Sequence, residues 1–414
     1  MNPAVLRKIT LIFVRTIHHD MKRFLTAFYA AIILTGCAVQ DPVTALADKV
    51  FTLARQQYSA MDAALQEGEY PRTTHKDGSL RTSDMGWWCS GFYPGSLWYI
   101  YEYTGDETIR DLAWKHTLPL DGLIDRHTDH DIGFQINCSF GNALRLTGDS
   151  TATVQTSIAA AQKLAARLNP ATGVTLSWDW LRHDWRYPVI IDNMMNLELL
   201  TTAARLSGDT TLKDAAITHA NTTLKNHFRP DWTSWHLIDY DPVTGAVRSK
   251  ETVQGHADGS AWARGQAWAL YGYTMMYRET GMAEYLNAAE NIGDMIIRHL
   301  PEDGIPYWDF NAPDIPDALR DASAGAIMAS AFIELSTLTE KPSAAETYLE
   351  TARRQLLTFG TDEYLATFGE NAGFLLKHCV GNMPENGEID APLSYADYYF
   401  LEALVRYVTL MEKD

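Results

Sequence analysis

The chain has 414 residues, 46% of them hydrophobic and 11% aromatic, enough for one large domain or two medium ones and unlike a disordered polymer. Its 34 Lys+Arg against 52 Asp+Glu leave a formal net charge of −18, which disfavours nucleic acid and anionic lipid as partners. An anionic small ligand would need cations local to its site. The sequence has no zinc-type cysteine spacing, P-loop or dinucleotide fingerprint, so neither a metal nor an organic cofactor is expected.

From Met21 the chain reads MKRFLTAFYAAIILTGC: two basic residues, a short apolar run, then Leu34-Thr35-Gly36-Cys37. The run is too short to span a bilayer, and its basic flank suits an export signal. Its end resembles a bacterial lipobox, in which Cys37 is acylated and becomes the first mature residue. Residues 1–37 are therefore expected to be a signal segment, with 1–20 an upstream mis-start rather than a structural element. The expected location is the periplasm or outer membrane, with membrane contact through the lipid alone; Ala38 after Cys37 is compatible with outer-membrane sorting. Cys89, Cys138 and Cys379 then allow at most one disulfide, so the fold is not built on disulfides.

The rest of the chain, residues 38–414, is expected to be one domain of helical hairpins in series. The segment Thr44–Leu65 reads as an outer helix. Three tags follow, Tyr103-Thr104-Gly105-Asp106, Leu146-Thr147-Gly148-Asp149 and Leu206-Ser207-Gly208-Asp209, with a weaker copy at Glu279-Thr280-Gly281-Met282. Each lies between two helical runs: Gly can end one helix in the left-handed region, and the next Asp can cap its successor. The run before each tag (Leu97–Tyr103, Asn142–Leu146, Leu197–Leu206, Ala267–Tyr277) is apolar or aromatic nearly all round, and the run after it is amphipathic. A fifth pair, Ala326–Leu338 and Ala344–Leu357, is joined by Glu340-Lys341-Pro342, and YADYYFLEALVRYV supplies a sixth apolar helix. Apolar helices belong inside and amphipathic ones outside. The predicted fold is all-α, an (α/α)6 barrel of six inner and six outer helices.

The tags are short and share one end of such a barrel. The returns from outer to inner helix are long and rich in Trp, His and Asp, as in IDRHTDHDIGF, TLSWDWLRHDWRYPVIIDN and PYWDFNAPDIPDALRDAS. Long aromatic loops on a rigid scaffold make a cleft, and Trp and Tyr with scattered Asp suit a carbohydrate. Two carboxylates stand at inner-helix entries in this end: Asp131 in HDIGF and Asp192 in IIDNMMN. Facing a cleft, such a pair can do acid–base work; each is also well placed as a plain N-cap. Arg264, in SAWARGQAWAL, opens the fourth inner helix, where the dipole disfavours a cation. It therefore needs an anionic ligand or an acidic partner, for instance Asp258. Trp268 is one turn further on the same face; a guanidinium beside an indole suits a carboxylated sugar ring.

The blocks TSDMGWWCSGFYPGSLWYIYEYTGD, HDIGFQINCSFGNALRLTGD, PVIIDNMMNLELL, SAWARGQAWALYGYT and GFLLKHCVGNMP…DAPLSYADYYFLEAL resemble, in order from about Asp84 to Tyr407, the unsaturated glucuronyl hydrolases of glycoside hydrolase family 88. The resemblance implies the same barrel, no metal or cofactor, and oligosaccharides ending in a 4-deoxy-4,5-unsaturated uronate left by polysaccharide lyases. It implies that Asp192 is the general acid/base, Asp131 a second essential carboxylate and His236 a catalytic-site histidine. Gln254, Arg264 and Trp268 match binding positions, and Trp88, His130 and Trp178 match cleft-lining ones. Val253 and His256 depart from the residues many members carry before and after the Gln-Gly pair; these departures bear on the second sugar, not the reaction type. The expected chemistry is hydration of the C4–C5 double bond by a protonated Asp192, with Asp131 ionised and its field raising the Asp192 pKa. The alternatives are an unsaturated rhamnogalacturonyl hydrolase acting on pectin fragments, a polysaccharide lyase on the same fold, and a non-catalytic glycan-binding lipoprotein.

Overall fold

The four tag glycines turn the chain as their position demands: Gly105, Gly148, Gly208 and Gly281 hold φ between 65° and 76°, the left-handed region that ends a helix with least strain in glycine. Asp106, Asp149 and Asp209 then accept the first backbone N–H groups of the following helices. The computed structural model describes residues 40–180 and 185–413; the signal segment, with Cys37 and Ala38, lies outside the described residues. Pro42–Asp414 forms one compact unit.

Twelve helices carry this unit among the described residues. The inner six are α2 (Phe92–Thr104), α4 (Ile132–Ile136, Asn137–Gly141 and Asn142–Thr147, the middle turn a π-bulge), α6 (Asn193–Ser207), α8 (Ala263–Thr280), α10 (Ala322–Leu338) and α12 (Ser394–Met411). The outer six are α3 (Glu107–Thr117), α5 (Ser150–Ala165), α7 (Thr210–Asn226), α9 (Ala283–His299), α11 (Pro342–Phe359) and α1 (Pro42–Ala64). Each inner helix packs on the next, and α12 packs back on α2, so the ring is closed; α1 covers that seam. Burial follows composition. Ala322 to Ile333 of α10 is buried on every face, whereas α9 buries one stripe through Tyr285, Ala288, Ala289, Ile292 and Ile296.

Most inner helices begin several residues before the apolar runs that mark them. Here the backbones nearly touch. A Cβ on Gly133 would overlap Asn196, and one on Gly91 would overlap the backbone of Gln135. Four antiparallel ribbons, not foreseen from the sequence, lie in the outer-to-inner returns: β1 (Tyr70–Thr74) with β2 (Leu80–Ser83), β3 (Leu168–Asn169) with β4 (Val174–Thr175), β8 (Cys379–Asn382) with β9 (Gly387–Ala391), and the three-stranded β5 (Pro188–Ile190), β6 (Leu237–Tyr240), β7 (Val247–Glu251).

Candidate active site

The three-stranded ribbon assembles the site. Ile190 pairs with Leu237 and Leu237 with Glu251, so the residues just beyond the strands converge: Asp192 after β5, His236 before β6, and Thr252 to Gln254 after β7. Ile191 N–H donates to the His236 carbonyl at 2.9 Å. The His236 Nε2 atom stands 3.6 Å from Asp192 Oδ1.

Asp192 and Asp131 both open inner helices, yet neither side chain caps its helix. Asp321, at the same place on α10, does cap, accepting from Ser323 N–H. The N-cap reading of the two carboxylates is therefore replaced by one in which they face the mouth. Burial pushes Asp192 up to about 7, against the positive charge of Arg264 and the indole N–H of Trp268, which lower it. Asp131 is driven well above the usual carboxylate range by burial first, then by the charges of Asp129 and Asp192. The rise at Asp192 thus comes from burial first rather than from the field of Asp131; burial raises both carboxyls, and Asp131 has carboxylate neighbours where Asp192 has a guanidinium.

His236 is buried and neutral, its pKa lowered to about 3 by burial and then by Arg264. The backbone N–H groups of Val253 and Gln254 both donate to its Nδ1, at 3.1 and 3.3 Å. Because these contacts use the backbone, the Val253 departure leaves them intact. Trp262 lies between the His236 ring, 4.5 Å away, and the Arg264 guanidinium, 4.4 Å away. Arg264 is 1% exposed. Its acidic partner is Asp321, at 3.1 Å, not Asp258, which instead accepts Thr252 N–H. The same guanidinium donates to the carbonyls of Val380 and Gly381 in β8, each at 2.6 Å, and Gln254 Nε2 donates to Gly381 at 3.0 Å.

Trp268 is fully buried against Phe134, and Trp88 packs on Phe134 and Tyr395. On the other side His130 lies 6.2 Å from Trp178, which stacks on the half-exposed Trp180 at 4.7 Å. A cavity of about 410 Å³ opens here, walled in part by Arg126, Asp129, Gln135, Trp178 and Trp180. All nine residues singled out from the sequence thus belong to one connected region. Five of them, His130, Trp178, Asp192, His236 and Trp268, hold a buried polar atom with no hydrogen-bond partner among the described residues. Gathered at one mouth, these atoms suit a polar ligand. Ligand-type atoms of Asp129, His130 and Asp131 lie within 4.8 Å of one another. Sequence reasoning missed Tyr395, Trp262 and Asp321. A third Asp at an inner-helix entry was the available signal for Asp321; the two aromatics carried none.

No protein-family model matches the chain. It is 47% identical over 328 residues, 79% of this chain and 81% of the relative, to an unsaturated glucuronyl hydrolase of Formosa agariphila. Among solved structures it superposes with TM-score 0.86 on an unsaturated glucuronyl hydrolase specific for heparin, at 44% identity, covering 89% of this chain and 98% of that one. A mutant of the Streptococcus agalactiae enzyme, complexed with dGlcA-GalNAc6S, superposes with TM-score 0.74 at 28% identity, covering 87% and 91% of the two chains.

Proposed function

The chain belongs to the unsaturated glucuronyl hydrolases, and from that premise we propose how its site releases a 4-deoxy-4,5-unsaturated uronic acid from the non-reducing end of lyase-generated glycosaminoglycan fragments. The observation that carries the mechanism is Asp192: an uncapping, buried carboxyl with a pKa of about 7, matched to giving and taking a proton near neutrality. The substrate double bond is an enol ether conjugated to a carboxylate. Protonated Asp192 delivers its proton to C4, water adds at C5, and the Asp192 carboxylate accepts the proton of that water. The hemiketal so formed opens and expels the aglycone sugar. Arg264 and the Trp268 N–H favour the charged form of Asp192 while burial favours the neutral one, so the group can pass through both states in one turnover. The apolar and aromatic walls exclude bulk water and strengthen each of these contacts.

Absorbance of the conjugated double bond should fall when the protein acts on unsaturated disaccharides from heparin and chondroitin, and heavy water should place deuterium at C4 of the product. An absorbance rise on intact polymer would mean elimination instead, and a product without deuterium at C4 would sink the hydration step. Faster turnover of pectin disaccharides than of either glycosaminoglycan would overturn the substrate class. We propose further that the enzyme is exported and held at a membrane by a lipid on Cys37. The lipobox-like sequence supports this.

A further inference from the structure

His130 and His236 are both buried, at 2% and 3% exposure, yet the protein holds their rings in opposite senses. At His236 two backbone N–H groups point at Nδ1. That nitrogen must be the acceptor, the ring proton sits on Nε2, and an N–H is turned toward Asp192. At His130 the Nδ1 atom lies 2.6 Å from the carbonyl oxygen of Ser177, which can only accept. The proton is therefore on Nδ1, and Nε2 is a bare lone pair. It stands 3.3 Å from Asp131 Oδ1 and has no other donor among the described residues.

We propose that His130 is a positioning residue whose Nε2 lone pair holds Asp131 as a neutral carboxylic acid, leaving Asp192 as the one carboxyl of the pair that changes charge. This rests on the reading of Asp131 and Asp192 as the catalytic pair. Two bare acceptors at this separation in a dry site repel one another, and one proton between them turns the contact into a hydrogen bond. The groups around Asp131 put that proton on its carboxyl. Asp129 faces it with negative charge, as does Asp192 once it has given up its proton, while Arg167, a cation nearby among the described residues, is engaged by Asp179 and the carbonyls of Thr128, Leu176 and Ser177. The Asn196 amide favours the ionised form, but less than burial and the neighbouring carboxylates oppose it. His130 cannot take a second proton cheaply, because burial lowers its pKa to about 4. Ser177 is itself held in place: its hydroxyl donates to Asn193 Oδ1 and accepts from Ile190 N–H. The start of α6 therefore fixes the tautomer of a ring 60 residues earlier. As an acid whose hydroxyl is engaged by His130, Asp131 offers the sugar a carbonyl acceptor and adds no negative charge beside Asp192.

The test uses the substrate-free, full-length enzyme labelled with ¹⁵N-histidine, in the presence of a chelator. At neutral pH, His130 should show a protonated Nδ1 and a bare Nε2, and His236 the reverse. The His130 resonance is assigned with His130→Gln or, should that variant not fold, as the resonance displaced in Asp131→Asn. Infrared spectra should contain a protonated-carboxyl band that Asp131→Asn loses. A doubly protonated His130, a proton on its Nε2, or the lack of that band would overturn the proposal. Turnover of unsaturated disaccharide by the same sample separates the two readings. An active enzyme with the wrong tautomer rejects only this inference, whereas the right tautomer in an enzyme that binds but never turns over rejects the proposed function.

Discussion

Asp192→Asn keeps the shape of the side chain and removes its proton chemistry, so it should split activity from stability in opposite directions. Burial moves this carboxyl from an ordinary 3.8 to about 7. Between those values the unfolded chain ionises the group and the folded chain does not. The folded state then binds one proton more, so wild-type stability falls as pH rises through this window and levels off above about 7. A shift of about 3 units at about 1.36 kcal/mol each makes the loss about 4 kcal/mol. With only 13% of the side chain exposed, solvent screening takes little from it. Asp192→Asn has no such group to titrate, so its stability relative to wild type should rise by that amount between about pH 4 and pH 7. For a unit spanning Pro42–Asp414, an unfolding entropy of about 2.1 cal/mol/K per residue converts this to about 5 °C in Tm. Paired thermal melts across that range measure it, alongside turnover of an unsaturated disaccharide, which should drop by several orders of magnitude with KM little changed. A Tm difference independent of pH would refute the buried, raised carboxyl, and a variant within tenfold of wild-type turnover would refute its catalytic role.

Asp131→Asn should cost activity but leave the alkaline limb of the kcat/KM profile, where Asp192 loses its proton, in place, since an amide imitates a neutral acid; a displaced limb would mean that Asp131 carries charge beside Asp192 in the working enzyme. Arg264→Ala strands the buried Asp321 carboxylate and should lower stability by about 3–5 kcal/mol in denaturant melts. Adding Asp321→Asn should recover part of that loss, and no recovery would show that the ion pair is not what Arg264 supports. Cys37→Ser should move the protein from the membrane fraction to the soluble one at unchanged turnover, because a lipid group is only an anchor; unaltered fractionation would reject the lipobox.

The helices were legible because their signals are local. Whether a run is apolar all round or along one stripe decides inner from outer, and a Gly-Asp pair ends one helix and caps the next without reference to anything distant. The alternation of short tags and long aromatic returns likewise placed the mouth of the barrel before any coordinate did. Residue type and family resemblance also named Asp192, Asp131 and His236. Tertiary structure alone decided what those residues are. Asp192 meets His236 because short strands pair Ile190 with Leu237, in segments too brief to show periodicity. Arg264 finds Asp321 and the β8 carbonyls rather than the nearer Asp258, since chain proximity does not bring a side chain into the buried mouth where the charge needs compensation. The direction of each carboxyl's pKa shift was beyond the sequence for the same reason. A carboxyl's pKa depends on how much water is removed and on which charges remain within a few ångströms, and here Asp129 faces Asp131 while Arg264 faces Asp192.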